Sequence, residues 1–390
     1  MASYKELEPA KNGKPRIKIT VELGYDEETG RRLRKFKTVT LNSLSDRAIK
    51  KAITEFEIEV ANMEVLSNVD NMTFEQFVKK WLEVYVDVDL AIKTRDIYKF
   101  HLRRGISDEL NHYKISKIKT FHIVECFKKW KENDKTGSTS NGKYVVLKSL
   151  FNKAIEWKVI TNNPMDGVKS PRVIRKEKGF YDEEQLKYLF DIIENINVKH
   201  KLKIKLAALV GLRLAEISGI RLECLNFKNN TILIDKTLQY DEEKKKLVLG
   251  LPKNKKARTV NVPATFMKEL EVFSKEQKKL KLKMGNAWKP MLDDNKEPIN
   301  FLFSNDNGYP LHPRTMSTVW PRIVKKYNLP KITFHDLRHS YASYMVSKGV
   351  NFKIIQEQLG HSDIKITLNI YSHLTERDKQ KASDLFDEIL

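Results

Sequence analysis

The stretch "FHDLRHSYAS", Phe334–Ser343, places two histidines and an arginine among apolar and small side chains. At helical spacing Leu337, Tyr341, Ala342 and Met345 fall on an inward face. His335 and Arg338 are three residues apart and share another face. His339 lies about 100° round the helix from Arg338 and takes a structural role. The polar pair has three readings: surface decoration, metal ligands, or half of a site that grips an anion. The rest of the chain has to choose between them.

A chain of 390 residues has room for two or three domains with proper cores. Its net charge of +21 is not a packing requirement. Such a surplus points to a polyanionic partner, nucleic acid first. The two cysteines, Cys126 and Cys224, provide neither a disulfide framework nor a thiolate metal site. The opening "MASYKELEPAKNGK" lacks the apolar run of a signal peptide. No apolar stretch reaches the ~20 residues of a membrane span. A reducing, cytoplasmic setting is the expectation.

Along the chain, "RIKITVEL" alternates Ile17, Ile19, Val21 and Leu23 with polar residues, the period of a strand. "GYDEETGRR" supplies turn chemistry, and "RLRKFKTVTL" reads as a second strand carrying Arg32, Arg34, Lys35 and Lys37. A helix follows from Ser45, with Ile49, Ala52, Ile53, Phe56 and Val60 on one face. Residues 1–66 thus predict a sheet of two or three strands backed by one helix, its basic strand face suited to DNA. "SNVDN" (67–71) reads as a linker. Thr73 and Gln76 form a capping box that opens a helical region over 70–168. Its apolar stripes are Phe77, Trp81 and Leu82; Ile97, Tyr98 and Leu102; and Ile123, Phe127 and Trp130. After "TGSTSNG" a last helix carries Val146, Leu150, Phe151, Ala154 and Trp157. Residues 169–178 are basic and irregular, a linker. Residues 179–390 are mostly helical, with strands between Thr231 and Val262.

The prediction is therefore a multidomain, mainly α chain. It has a small α+β N-terminal domain, an all-α second domain, and a mixed, mainly α third domain with a small antiparallel sheet. Beside the four basic residues of the second strand, Lys93, Arg95 and Lys143 in the helical region and Arg172 and Arg175 in the linker are candidate phosphate contacts.

Five places in the third domain bear on the opening question. Gly211 ends an apolar helix, and Arg213 and Glu216 follow on one face of the next. Lys253 is expected at a β-hairpin tip after "VLGLP", with Lys255 and Lys256 as alternatives beside it. His335 and Arg338 open another helix. Gly360 caps the helix that ends at Leu359, placing His361 just past the cap. Tyr371 stands ten residues further on. A metal fits poorly: the histidine spacing is not HExxH, no cysteine joins it, and arginines sit among the histidines. Two arginines, a lysine and two histidines suit the spread negative charge of a pentacovalent phosphate. Tyr371, otherwise a buried structural tyrosine, is the nearby candidate nucleophile, and a phenol with a pKa of ~10 is a workable leaving group for the reverse step.

The order Arg213, Lys253, His335-x-x-Arg338, His361 and Tyr371 resembles the tyrosine recombinases, the phage-type integrases. "HDLRHSYAS" and "LGHSDIKITLNIYSHL" are similar to that family's two C-terminal boxes. Residues 1–66 resemble the arm-type DNA-binding domain of integrases from phages and conjugative transposons. Residues 70–168, with "ISKIKTFHI" and "AIEWKVITNNP", resemble the core-binding domain. Residues 179–390 resemble the catalytic domain, ending in a tail helix. The chain departs from the family pattern at Ala215, at Asn111-His112 and at Asn254, where the lysine box usually has threonine.

The resemblance implies transesterification without metal or nucleotide cofactor. Tyr371 would form a 3′-phosphotyrosyl bond and release a 5′-hydroxyl. Arg213, Arg338 and His361 would hold the phosphate, Lys253 would act as general acid, and His335 would assist proton transfer. Glu216 would hold its neighbours in place. It also implies double-stranded DNA with core-type and arm-type sites, a homotetramer working through a Holliday junction, an excisionase and a host DNA-bending protein. A type IB topoisomerase-like relaxing enzyme and an inactive DNA-binding relative are the alternatives.

Overall fold

The structure, a computed structural model, describes residues 2–10, 13–25, 32–174 and 179–360. The chain forms two compact units, Met1–Arg175 and Lys176–Leu390.

The first unit holds two hydrophobic clusters. One lies under an antiparallel sheet of three strands in the order β1 (Ala2–Leu7), β2 (Arg16–Tyr25) and β3 (Arg32–Thr40). The sequence predicts two or three strands, and Ala2–Leu7 is the third. Ile17, Ile19 and Val21 of β2 pack on Ile49, Ala52, Phe56 and Val60 of the helix Asp46–Asn71. That helix runs through "SNVDN", so the segment expected as a linker is helical. The segment has neither Gly nor Pro, and its Ser, Asn and Asp residues each cost only tenths of a kcal/mol in a helix.

The second cluster is helical and contains Phe74, Phe77, Trp81, Leu102, Ile123, Phe127, Val146, Leu150 and Phe151. The helix Phe74–Trp81 begins at the predicted capping box: Gln76 N–H donates to Thr73 Oγ1 at 3.2 Å, and Thr73 N–H to Gln76 Oε1 at 2.9 Å. In the helix Ile92–His101, Tyr98 stacks on Trp81 at 5.7 Å, whereas Ile97, one residue and 100° away, is exposed rather than core. The helix Ser138–Glu156 begins inside "TGSTSNG", because the Asp134 carboxylate accepts the Ser140 N–H at 2.6 Å and holds its first turn.

In the second unit the large core gathers Leu186, Leu189, Leu206, Ile217, Ile232, Val260, Phe266, Trp320 and Leu337. Five short strands make two sheets. β4 (Leu225–Asn226), β5 (Thr231–Ile234) and β8 (Arg258–Asn261) form one, and β6 (Thr237–Asp241) and β7 (Lys246–Gly250) form the other. β7 and β8 belong to different sheets, so Lys253 sits on a crossover link and not at a hairpin tip. The helix Asp336–Ser347 packs on the helix Val198–Leu209. Tyr341, Ala342 and Val346 join it to Ile355 and Leu359 of the helix Phe352–Leu359. Among the described residues no helix is long and apolar enough to cross a membrane.

One contact in the first unit reverses an ordinary rule. Alanine in place of a helix-interior glycine usually stabilises by about 1 kcal/mol. At Gly142 the added Cβ would fall 2.2 Å from Nε2 of the buried His101 ring. Gly142→Ala is expected to destabilise this unit by roughly 1–3 kcal/mol, read as a lower urea midpoint. A further His101→Ala change, which opens the space, should recover part of the loss. A raised midpoint in Gly142→Ala alone would refute the packing.

Candidate active site

Four segments far apart in the sequence meet around one carboxylate. Gly211 makes the first turn at φ +73°, and a Cβ there would fall 2.5 Å from Leu359 Cδ2 and 2.7 Å from Tyr341 Cδ1. Only a glycine lets the chain turn so close to both helices. Two residues later Arg213 caps the helix Leu214–Ser218. Its backbone N–H donates to Glu216 Oε2 at 3.0 Å, and its Nη1 to Glu216 Oε1 at 2.8 Å. The sequence spacing alone favours a surface ion pair here, but Glu216 is 1% exposed.

Arg338 comes from the first turn of the helix Asp336–Ser347 and is 2% exposed. It donates to the Gly211 carbonyl at 2.7 Å through Nη1 and to the Leu359 carbonyl at 2.6 Å through Nη2. Arg213 reaches the same turn, with Nη1 3.4 Å from the Leu359 carbonyl and Nη2 3.4 Å from that of Gly360. A third arginine, Arg258, opens β8. It grips Glu216 with both terminal nitrogens, at 3.1 and 2.8 Å, and donates Nε to the Gln358 carbonyl at 3.1 Å.

The electrostatics follow from that count. One carboxylate faces three guanidinium groups, so the cluster keeps surplus positive charge. Burial alone would raise the Glu216 pKa. The bonds and charge of Arg258, then those of Arg213, outweigh burial and hold it at about 2. Burial, with Arg213 adding, lowers Arg338 to about 9, which leaves it protonated at neutral pH. Burial also pushes the Tyr341 phenol up to about 12 and keeps it neutral.

Of the predicted residues, the structure brings together Arg213, Glu216 and Arg338. His335 stands exposed just before its helix, with its ring 5.5 Å from that of His339 and edge-on to it. Lys253 is exposed on the link between β7 and β8, five residues before Arg258. His361 and Tyr371 lie outside the described residues, as do Arg175 and the tail helix. The sequence reading missed Arg258 and Gln358. Neither carried a local signal: Arg258 opens the strand after Lys253, and its pairing with Glu216 exists only in the folded chain. Among the described residues no group of three or more His, Cys, Asp or Glu could hold a metal.

The basic candidates in the first unit divide sharply. β2 and β3 pair Ile19 with Lys37, Val21 with Lys35 and Glu22 with Arg34. Opposed residues share a face. Lys35 and Lys37 therefore lie on the helix-covered face, where Lys37 pairs with Glu59. Arg34 lies on the open face with Arg16, Lys18 and Phe36, and Lys18 Nζ sits 4.6 Å over the Phe36 ring. Arg32 and Arg34 both reach Glu22. Lys93 and Arg172 are exposed. Arg95 and Lys143 are buried, against expectation: Arg95 faces Asp87 at 3.9 Å, and Lys143 Nζ lies 4.2 Å over the Trp130 ring. Neither offers its charge on an open face.

Residues 180–378 match the family model described as the phage integrase family, and residues 73–131 match that of the phage integrase N-terminal SAM-like domain. A tyrosine recombinase XerC-like protein of Caldanaerobacter subterraneus is 27% identical over 99% of both chains. The ICEBs1 integrase of Bacillus subtilis is 24% identical over the full length of both. Among solved structures, the Tn1549 transposon integrase in complex with circular intermediate DNA superposes with a TM-score of 0.65. It is 25% identical over 80% of this chain and 99% of that one.

The depressed Glu216 pKa has a measurable counterpart. A carboxylate near 2 when folded, against an ordinary value of 4.5, contributes stability that is complete above pH 4.5 and lost as the pH falls toward 2. The ceiling is roughly 3 kcal/mol. In urea unfolding, the stability gap between wild type and Glu216→Gln should be widest above ~pH 5 and shrink by up to that amount on acidification. A gap unchanged down to ~pH 3 would contradict the ion-paired carboxylate.

Proposed function

The chain belongs to the phage integrase family, and from that premise we propose how its residues carry out the reaction. It is a tyrosine-type site-specific DNA recombinase. The observation that carries the residue assignment is the convergence of Arg213 and Arg338 on the carbonyls of Leu359 and Gly360, immediately before His361. That cluster holds excess positive charge on a buried scaffold, which is what a phosphate gaining charge in a transition state requires.

In the proposed step the Tyr371 oxygen attacks the scissile phosphorus and the bond to the 5′ oxygen breaks. The phenol proton leaves toward His335, and Lys253 protonates the departing 5′ oxygen. Arg213, Arg338 and His361 stabilise the non-bridging oxygens, and Glu216 orients the arginines. The 3′-phosphotyrosyl bond conserves the energy of the broken linkage, so resealing needs no nucleotide. Lys253 on its link and Arg213, the more exposed of the two arginines (27% against 3% for their side chains), are the groups best placed to meet DNA.

The substrate is double-stranded DNA of a mobile element. The sheet face bearing Arg16, Lys18, Arg34 and Phe36 is the proposed arm-site contact, within a domain spanning 1–66. Residues 70–168 are the proposed core-site domain, 169–178 the linker and 179–390 the catalytic domain. Strand exchange is proposed to run through a Holliday junction held by four copies in the bacterial cytoplasm, with an excisionase and a host DNA-bending protein as accessory partners. The DNA-bound Tn1549 integrase supports the DNA reading by its similarity.

A nicked core-site duplex, which loses its 5′ fragment after cleavage, tests the assignment. Wild type should accumulate a covalent protein–DNA adduct and Tyr371→Phe none. Arg338→Ala should slow adduct formation about 10²–10³-fold. An adduct that persists in Tyr371→Phe removes Tyr371 from the reaction.

A further inference from the structure

We propose that Arg258 is a positioning residue of the active site, locking Glu216 and the Gln358–Gly360 turn into the arrangement that aims Arg213 at the phosphate. The inference rests on the catalytic reading above and adds a residue to it.

The geometry is specific. Arg258 makes a bidentate fork with Glu216, while Arg213 reaches that carboxylate through a single Nη and its own backbone N–H. The fork fixes both Glu216 oxygens in one plane. Arg213 then donates to an acceptor that cannot rotate. The third nitrogen of Arg258 binds the Gln358 carbonyl. Gly360, in the left-handed region at φ +64°, lies against the same guanidinium: a Cβ there would fall 2.9 Å from its Cζ, Nε and Nη1. The Gln358 amide in turn exchanges two hydrogen bonds with the backbone of Asn261, at 2.9 and 3.2 Å. Arg258 and Gln358 thus fasten the end of the helix Phe352–Leu359 to β8. Arg258 also fastens β8 to the helix Leu214–Ser218.

The charged groups facing Glu216 are Arg213 from its own helix start, Arg258 from β8 and Arg338 from the helix Asp336–Ser347. Arg338 stands 4.0 Å away and spends its terminal nitrogens on two carbonyls. Without Arg258, Glu216 would keep one close cation and most of its burial. Its proton affinity would rise toward the ordinary range, and protonation would release Arg213.

The test uses the full chain and single-turnover cleavage of the nicked duplex from pH 5 to 8, with DNA affinity measured separately. Arg258→Gln should cleave about 10- to 100-fold more slowly at nearly unchanged DNA affinity. Its rate should also fall more steeply on the acid side than that of wild type. Adding Glu216→Gln should abolish that extra fall. Arg258→Lys, which retains charge without the fork, should fall between wild type and Arg258→Gln, and it keeps the test open if Arg258→Gln folds poorly. Wild-type cleavage in both variants overturns the proposal. So does a slower rate with the wild-type pH profile, the signature of a merely structural role. An adduct seen in wild type and lost in Tyr371→Phe keeps the catalytic reading intact whichever way Arg258 falls.

Discussion

A carboxylate removed from water costs several kcal/mol unless hydrogen bonds and opposite charge replace its hydration. Glu216, 1% exposed, meets that demand with Arg213 and Arg258, and Arg338 stands 4.0 Å away. Each guanidinium in turn needs acceptors, and the carbonyls of Gly211, Gln358, Leu359 and Gly360 provide them. A single buried charge thereby organises the turn after one helix, the start of one strand, the first turn of a second helix and the end of a third. Remove it and three cations remain close together with only backbone carbonyls to hold them.

On the proposed reading, the same arrangement lets the site be both rigid and reactive. A site that stabilises an anion must hold its positive charge before the anion arrives, or else reorganise at the moment of reaction. Positive charge held together repels itself, and the buried carboxylate offsets that repulsion without cancelling it. The large apolar core around Ile217, Val260 and Leu337 then keeps the supporting helices and strand from relaxing away from one another. The first unit works differently. Its helical part rests on aromatic and aliphatic packing, and its sheet turns one face to a helix and leaves the other open to solvent.

Much of this was legible in the sequence, because the signals were local. Gly211 before Arg213, the three-residue step to Glu216, and Gly360 after Leu359 each encode a turn or a helix face within a few residues. The Thr73 capping box and the alternation in "RIKITVEL" are of the same kind. What stayed hidden depended on contacts between distant segments. Alternation separates Arg34 from Lys35 and Lys37 but does not say which side a helix will cover. Lys253 looked like a hairpin tip because its flanking strands are close in sequence, although they pair in different sheets. Arg95 and Lys143 carry the charge of surface residues but lie buried, one facing Asp87 and the other the Trp130 ring. Arg258 is the plainest case, since its meaning exists only beside Glu216.

The two hydrogen bonds between the Gln358 amide and Asn261 let a side chain take the place of a strand on the edge of β8 that no described strand covers. The sheet thus acts as a ruler for the site. Arg258 and Asn261 stand at opposite ends of that four-residue strand, one holding Glu216 and the other Gln358. Within those four residues an insertion or deletion would shift the two marks against each other and turn alternate side chains to the wrong face. The exposed residues between Lys253 and Arg258 have no such calibration to keep. Length variation among natural relatives should therefore collect in residues 254–257 and be absent from 258–261.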